Sequence, residues 1–173
     1  QQDVVNEMTL DGETLWVSTA GRGLKAIDLK QRRIISTPPA LHAQMDGMII
    51  ENNTMYVGLM GNEGSAAGFQ TFDTNNRQWG YGSLIAGLPS NLVRDFLVYG
   101  NHIMIATHGG IGMYNTTRSD WDNPITTIDG LPSPIITHLH SINTTIQGGG
   151  KVLAGGAAGV TVLHETNLTV LNT

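Results

Sequence analysis

Two histidines spaced by one residue, His138 and His140, are the first side chains in this 173-residue sequence whose pattern could do chemistry. On a β-strand, residues i and i+2 share a face, so both rings would point the same way. That arrangement can hold zinc or copper once a third ligand arrives, and His108 or Asp95 could supply it from a neighbouring element. Asp11-Gly12-Glu13 and Tyr99-Gly100-Asn101 offer oxygen-rich turns of the kind calcium uses. Asp-Gly and Gly-Asn are also favoured hairpin turns, and we read both as hairpins. No bound metal and no cofactor is expected.

Catalytic signatures are sparse. No serine sits in a Gly-x-Ser-x-Gly elbow, and no carboxylate pair stands out by context. Gly109-Gly110-Ile111-Gly112 leads into a strand pattern, whereas a phosphate loop opens a helix. Its glycines fit tight turns that need positive φ.

Composition narrows the classes further. The formal net charge is -5 and lysine occurs only at positions 25, 30 and 151. The one basic run, Lys30-Gln31-Arg32-Arg33, is too short to track a phosphate backbone. Nucleic acid and anionic membrane surfaces are therefore poor partners. There is no cysteine, so no disulfide framework and no thiolate site. No apolar run approaches the ~20 residues of a membrane span, and no signal peptide is evident, although a mature chain would have lost one. Asn52, Asn115, Asn143 and Asn167 each open an N-glycosylation tripeptide. Charged residues make up 13% and glycine is abundant at 22 residues, which suits short strands joined by tight turns.

The elements that position these residues form a repeat. Apolar segments at 14–19, 54–59, 102–107 and 151–156, anchored on Trp16, Tyr56, Met104 and Leu153, follow at steps of 40, 48 and 49 residues. A Gly-led segment comes after each, at Gly23, Gly68, Gly110 and Gly159, with a polar turn residue five positions on: Asp28, Asp73, Asn115 and His164. Six residues further lies an apolar residue: Ile34, Trp79, Trp121 and Val170. Short apolar runs starting at Val5, Met45, Val93 and Ile136 precede the anchors. Four strands in about 40–50 residues, repeated, predict all-β propeller blades. We place four blades at roughly 4–41, 42–89, 90–132 and 133–173, in one propeller region spanning 1–173.

Gly87-Leu88-Pro89-Ser90-Asn91 recurs as Gly130-Leu131-Pro132-Ser133-Pro134, 43 residues on. With strands such as Leu15-Trp16-Val17-Ser18-Thr19, the Gly109-Gly110-Ile111 turn, and aromatic-polar pairs at Phe72-Asp73 and Tyr114-Asn115, this resembles the two-component-regulator propeller repeat. The resemblance spans the chain and is strongest over 87–133. Departures are Pro38-Pro39-Ala40-Leu41-His42 in place of the GLPSN turn, an expanded loop at 61–68, and an insertion at 141–150. What the resemblance implies is a sensor-type module outside the membrane, in extracellular or periplasmic space, binding a ligand or partner.

In such blades, turns on one rim and the starts of the inner strands form the recognition surface. The expected ligand-binding residues are Arg22, Asn62, Glu63 and His108 on the rim, with Asp46, Arg94, Asp95 and His138 at the channel mouth. His42, Asn91 and Ser133 join the rim. The plainer reading makes Arg94 and Asp95 a local pair and the others ordinary turn residues. The ligand class stays open: a small molecule, a glycan or a protein. The alternatives to a non-enzymatic binding module are an assembly protein whose blades pack between chains, and a hydrolase or lyase with unidentified catalytic residues.

Four blades left open would bare two terminal faces. At ~500 Å² of apolar area each, about 12 kcal/mol of burial per face would be missing, comparable with the whole stability of a domain. A homo-oligomer completing an eight-bladed ring, a longer propeller containing this chain, or closure by four blades alone would resolve this.

Overall fold

The inner strands begin where the sequence places them, at Val5, Met45, Val93 and Ile136. The computed structural model describes residues 4–59, 68–80, 86–142, 150–164 and 169–171. The first sheet comprises β1 (Val5–Asp11), β2 (Thr14–Thr19), β3 (Leu24–Asp28) and β4 (Arg33–Ile35). The second holds β5 (Met45–Glu51), β6 (Thr54–Leu59), β7 (Gly68–Asp73) and β8 (Gln78–Trp79). The third holds β9 (Val93–Tyr99), β10 (His102–Thr107), β11 (Gly110–Asn115) and β12 (Asp120–Ile125). The fourth holds β13 (Ile136–Ile142), β14 (Lys151–Gly156), β15 (Gly159–His164) and β16 (Val170–Leu171). Each sheet is an antiparallel meander in chain order, with no strand shared between sheets. These are propeller blades.

The chain divides into two units, Gln1–Ile85 with the first two sheets and Ala86–Thr173 with the last two. In the first unit, Trp16, Leu24 and Ala26 of one sheet pack against Met45, Met48 and Val57 of the next. Phe72 stands edge-on to Trp16, with ring centroids 5.2 Å apart. In the second unit, Met104 and Ile111 pack against Ile136, Leu139 and Val152.

Strict alternation would put Val5 and Met8, or Met45 and Met48, on opposite faces of a strand. All four inner strands avoid this with a register shift at the same place: Val5/Glu7, Met45/Met48, Val93 to Asp95 opposite Ala106/Thr107, and Ile136/His138. The extra residue of a bulge lets two apolar side chains three apart share a face. It also leaves the bulged residues, Asp46 and Arg94 among them, out of the regular ladder, while Asp95 and His138 stay paired with Ala106 and Gly155.

The constant spacing after each Gly-led strand has a local cause. Asp28 Oδ1 accepts the Gln31 N–H, Asp73 Oδ1 those of Asn75 and Asn76, and Asn115 Oδ1 those of Thr117 and Arg118. Such side-chain-capped turns close a loop of set length. Four residues after each cap, Arg32, Arg77 and Ser119 take positive φ to reverse the chain.

Asp11-Gly12-Glu13 and Tyr99-Gly100-Asn101 are two-residue hairpins, with Asp11 paired to Thr14 and Tyr99 to His102. Of the glycosylation tripeptides, Asn52 lies exposed in a hairpin. Asn115 is buried and committed to its turn. Asn143 and Asn167 lie outside the described residues.

Candidate functional site

At the turn between β2 and β3, the Thr19 hydroxyl donates to the Gly23 carbonyl and accepts the Arg22 N–H. Thr107 repeats this in the third sheet, donating to the Gly110 carbonyl and accepting the Gly109 N–H. A threonine closing the anchor strand therefore sets the rim turn that presents Arg22 in one blade and His108 in another.

The Pro38–His42 connector, where the sequence departs from its own repeat, lies across that turn in the first unit. It is pinned from both sheets. Thr37 donates to the Leu24 carbonyl, Trp79 Nε1 donates to Pro38 O at 2.8 Å, and Gln70 Oε1 accepts the Leu41 N–H. Gly23 N–H also donates to Ala43 O at 2.7 Å. Between turn and connector lies an open groove of about 270 Å³, with Arg22, Lys25 and His42 in its walls beside Thr37, Pro38 and Pro39. The groove combines a planar guanidinium, an ammonium and an imidazole with stiff proline walls, which suits one anionic group on a partly apolar body.

The other expected residues fall elsewhere. Asp46 sits half-buried at the β5 bulge, and its carbonyl accepts the Ser18 hydroxyl at 2.7 Å. In the second unit, Asp95 accepts the Phe96 N–H with Oδ1 and, across to the next sheet, the Leu139 N–H with Oδ2, both at 2.8 Å. That carboxylate ties two blades together. Arg94 is half-buried on the same strand, and His108 half-buried on its rim turn with its N–H donating to Leu92 O. His138 is exposed, its Nδ1 3.0 Å from the Thr137 hydroxyl. Asn62 and Glu63 lie outside the described residues. Among the described residues no three His, Asp or Glu side chains converge. Neither His108 nor Asp95 is gathered with His138 and His140 into such a group. Both Asp95 oxygens are already taken by backbone N–H groups.

One cluster has no forerunner in the sequence reading. His102 Nε2 lies 2.7 Å from Asp122 Oδ2, Arg118 donates to Asp122 Oδ1, and Asn115 Nδ2 is 3.4 Å from the same imidazole nitrogen. The members come from β10, β11, β12 and the intervening turn, so only the strand register brings them together. Hydrogen bonds from His102 and then Arg118 hold the Asp122 carboxyl below its ordinary range. A carboxylate with a depressed folded pKa adds stability above its unfolded value, near 4, and loses it as pH falls through the folded value. Asp122→Asn is therefore expected to lower the urea midpoint at pH 7, with the gap from wild type closing below about pH 4. A gap that is constant with pH would show the contribution to be steric.

No protein-family model matches the chain, and no curated protein matches it by sequence. Solved structures do match. The extracellular domain assigned to the hybrid two-component system BT3049 of B. thetaiotaomicron aligns with a TM-score of 0.72 at 20% identity, over 98% of this chain and 22% of that one. The extracellular domain assigned to the one-component system BT4673 of the same organism gives 0.69 at 15% identity, over 98% and 23%. The computationally designed Ika4 protein gives 0.68 at 14%, over 95% of this chain and 92% of that one. The chain thus spans under a quarter of the two bacterial chains. At these identities the likeness establishes the fold, and it is the fold toward which the repeat motifs pointed. No helix among the described residues is long and apolar enough to cross a membrane.

Proposed function

We infer that this chain is a non-catalytic propeller module that senses a small anionic solute outside the membrane, in extracellular or periplasmic space. The observation that carries the reading is the pinned groove itself: Arg22, Lys25 and His42 converge on it beside the stiff Pro38-Pro39 wall. A guanidinium, an ammonium and an imidazole offered to one groove present N–H donors in the number and geometry that a carboxylate or sulfate group accepts. Support also comes from neighbours of the same fold that are extracellular domains of bacterial regulators. The connector's prolines and side-chain hydrogen bonds hold the walls before binding, which lowers the entropic cost of recognition.

The test is a thermal-shift and calorimetric screen of small carboxylates, sulfates and acidic sugars, each beside its neutral analogue. A hit raises the melting temperature by mass action. Arg22→Ala should weaken its binding by about 10- to 100-fold, since a charge-assisted pair is worth roughly 1.5–3 kcal/mol. Neutral analogues that bind as well as the anions, or affinity unchanged in both Arg22→Ala and Lys25→Ala, would refute the reading. Turnover of any panel member would refute its non-catalytic part.

A further inference from the structure

The sheet interfaces inside each unit define what a blade face needs. In the second sheet, Met45 and Met48 are 0% and 5% exposed because the first sheet's Trp16, Leu24 and Ala26 cover them. In the fourth sheet, Ile136 and Leu139 are likewise buried beneath Met104 and Ile111 of the third. The first sheet carries the same positions as Val5 and Met8, followed by Leu10 and Ile34 where the second has Ile50 and Trp79. These four are 50%, 57%, 62% and 72% exposed. They are apolar residues of core type on a bare face.

The fourth sheet shows the complementary deficit. Leu24 in the first sheet and Ile111 in the third are 3% and 0% exposed, because each covers the blade after it. Their counterpart in the fourth, Val160, is 61% exposed. Leu153, the counterpart of buried Trp16 and Met104, is only half-buried. One chain therefore presents a face that lacks a cover and a face that lacks something to cover.

We propose that these two faces are a self-association surface: the fourth sheet of one copy stacks on the first sheet of another, repeating the blade-to-blade contact that each unit already contains. The occupant is a second copy because the chain itself carries the complementary face, built from the same repeat positions. The contact is heterologous, using a different face on each copy, so it closes into a ring or grows, and two copies exchanging both contacts are the smallest closed form.

The test needs no ligand: multi-angle light scattering and analytical ultracentrifugation of the whole chain from about 1 to 200 µM, with two variants. Wild type is expected to self-associate. Met8→Asp with Leu10→Asp spoils the uncovered face, and Val160→Asp spoils the other. All three positions are exposed, so circular dichroism should report unchanged folding. Each variant alone should associate at least about 100-fold more weakly than wild type. Mixing the two variants restores one intact contact, so a 1:1 heterodimer should form. Monomeric wild type at 200 µM, wild-type association by the Met8/Leu10 variant, or a mixture that stays monomeric would each overturn the proposal.

Discussion

Replacing Gly110 by alanine is expected to destabilise the second unit by about 4 kcal/mol, combining backbone strain with overpacking. Gly110 opens β11 at φ +125, a conformation that side chains rarely adopt. A Cβ there would drive into the Ile125 carbonyl, with the Thr126 Cα next to it. Both obstacles are backbone, and Ile125 is held by its pairing with Ile111, so neither can swing aside as a side-chain tip could. Gly12 is the matched control. It also has positive φ, at +57, but a Cβ there meets nothing within 4 Å. Gly12→Ala should cost only the left-handed penalty of about 1 kcal/mol. Urea unfolding followed by Trp121 fluorescence reads the first variant, and hydrogen exchange of β1 and β2 amides reads the second. Equal costs would mean that φ alone matters and that close approach contributes nothing.

The Gly-led turns were the most legible feature of the sequence for this physical reason. All four leading glycines, Gly23, Gly68, Gly110 and Gly159, take positive φ, and in three blades an Asp or Asn capping the next turn sets a loop of fixed length. Strand starts followed from those two constraints. The bulges did not, because a shift of one residue leaves no mark on composition. It shows only as two apolar residues three apart, Val5 and Met8 or Met45 and Met48, which a strict period of two cannot reconcile. The rim groove was half legible. Arg22 and His42 are legible as rim residues, whereas Lys25 enters the sequence reading only as one of three lysines. The Pro38–His42 segment read as a lost repeat motif, yet it forms the groove's wall. The His102–Asp122 contact was out of reach, since it depends on register across three strands. Met8 and Leu10 are the instructive case. Their side chains are as apolar as those of Met48 and Ile50, and only the presence of a neighbouring blade separates core from surface.

Trp16→Ala should be the most damaging change in the first unit, at about 3–5 kcal/mol, the usual cost of removing a buried aromatic ring. Trp16 is buried, stands edge-on to Phe72, and shares its core with Leu24 and Met45. Trp16→Phe should behave quite differently. The indole Nε1–H is buried and meets no acceptor among the described residues, an unpaired donor that costs about 1–3 kcal/mol. Phenylalanine removes that donor while keeping most of the ring, so its smaller volume and the relieved polar group should offset to within about 1 kcal/mol. Urea unfolding followed through Trp79, which both variants retain, makes the comparison. A phenylalanine variant as unstable as the alanine one would show that volume alone governs the position. The same pair bears on binding. Leu24 packs in the core with Trp16 and offers its carbonyl to Thr37, which holds the groove's connector. Trp16→Phe should therefore keep the anion affinity of wild type, whereas Trp16→Ala should lose both the fold of the first unit and the groove built upon it.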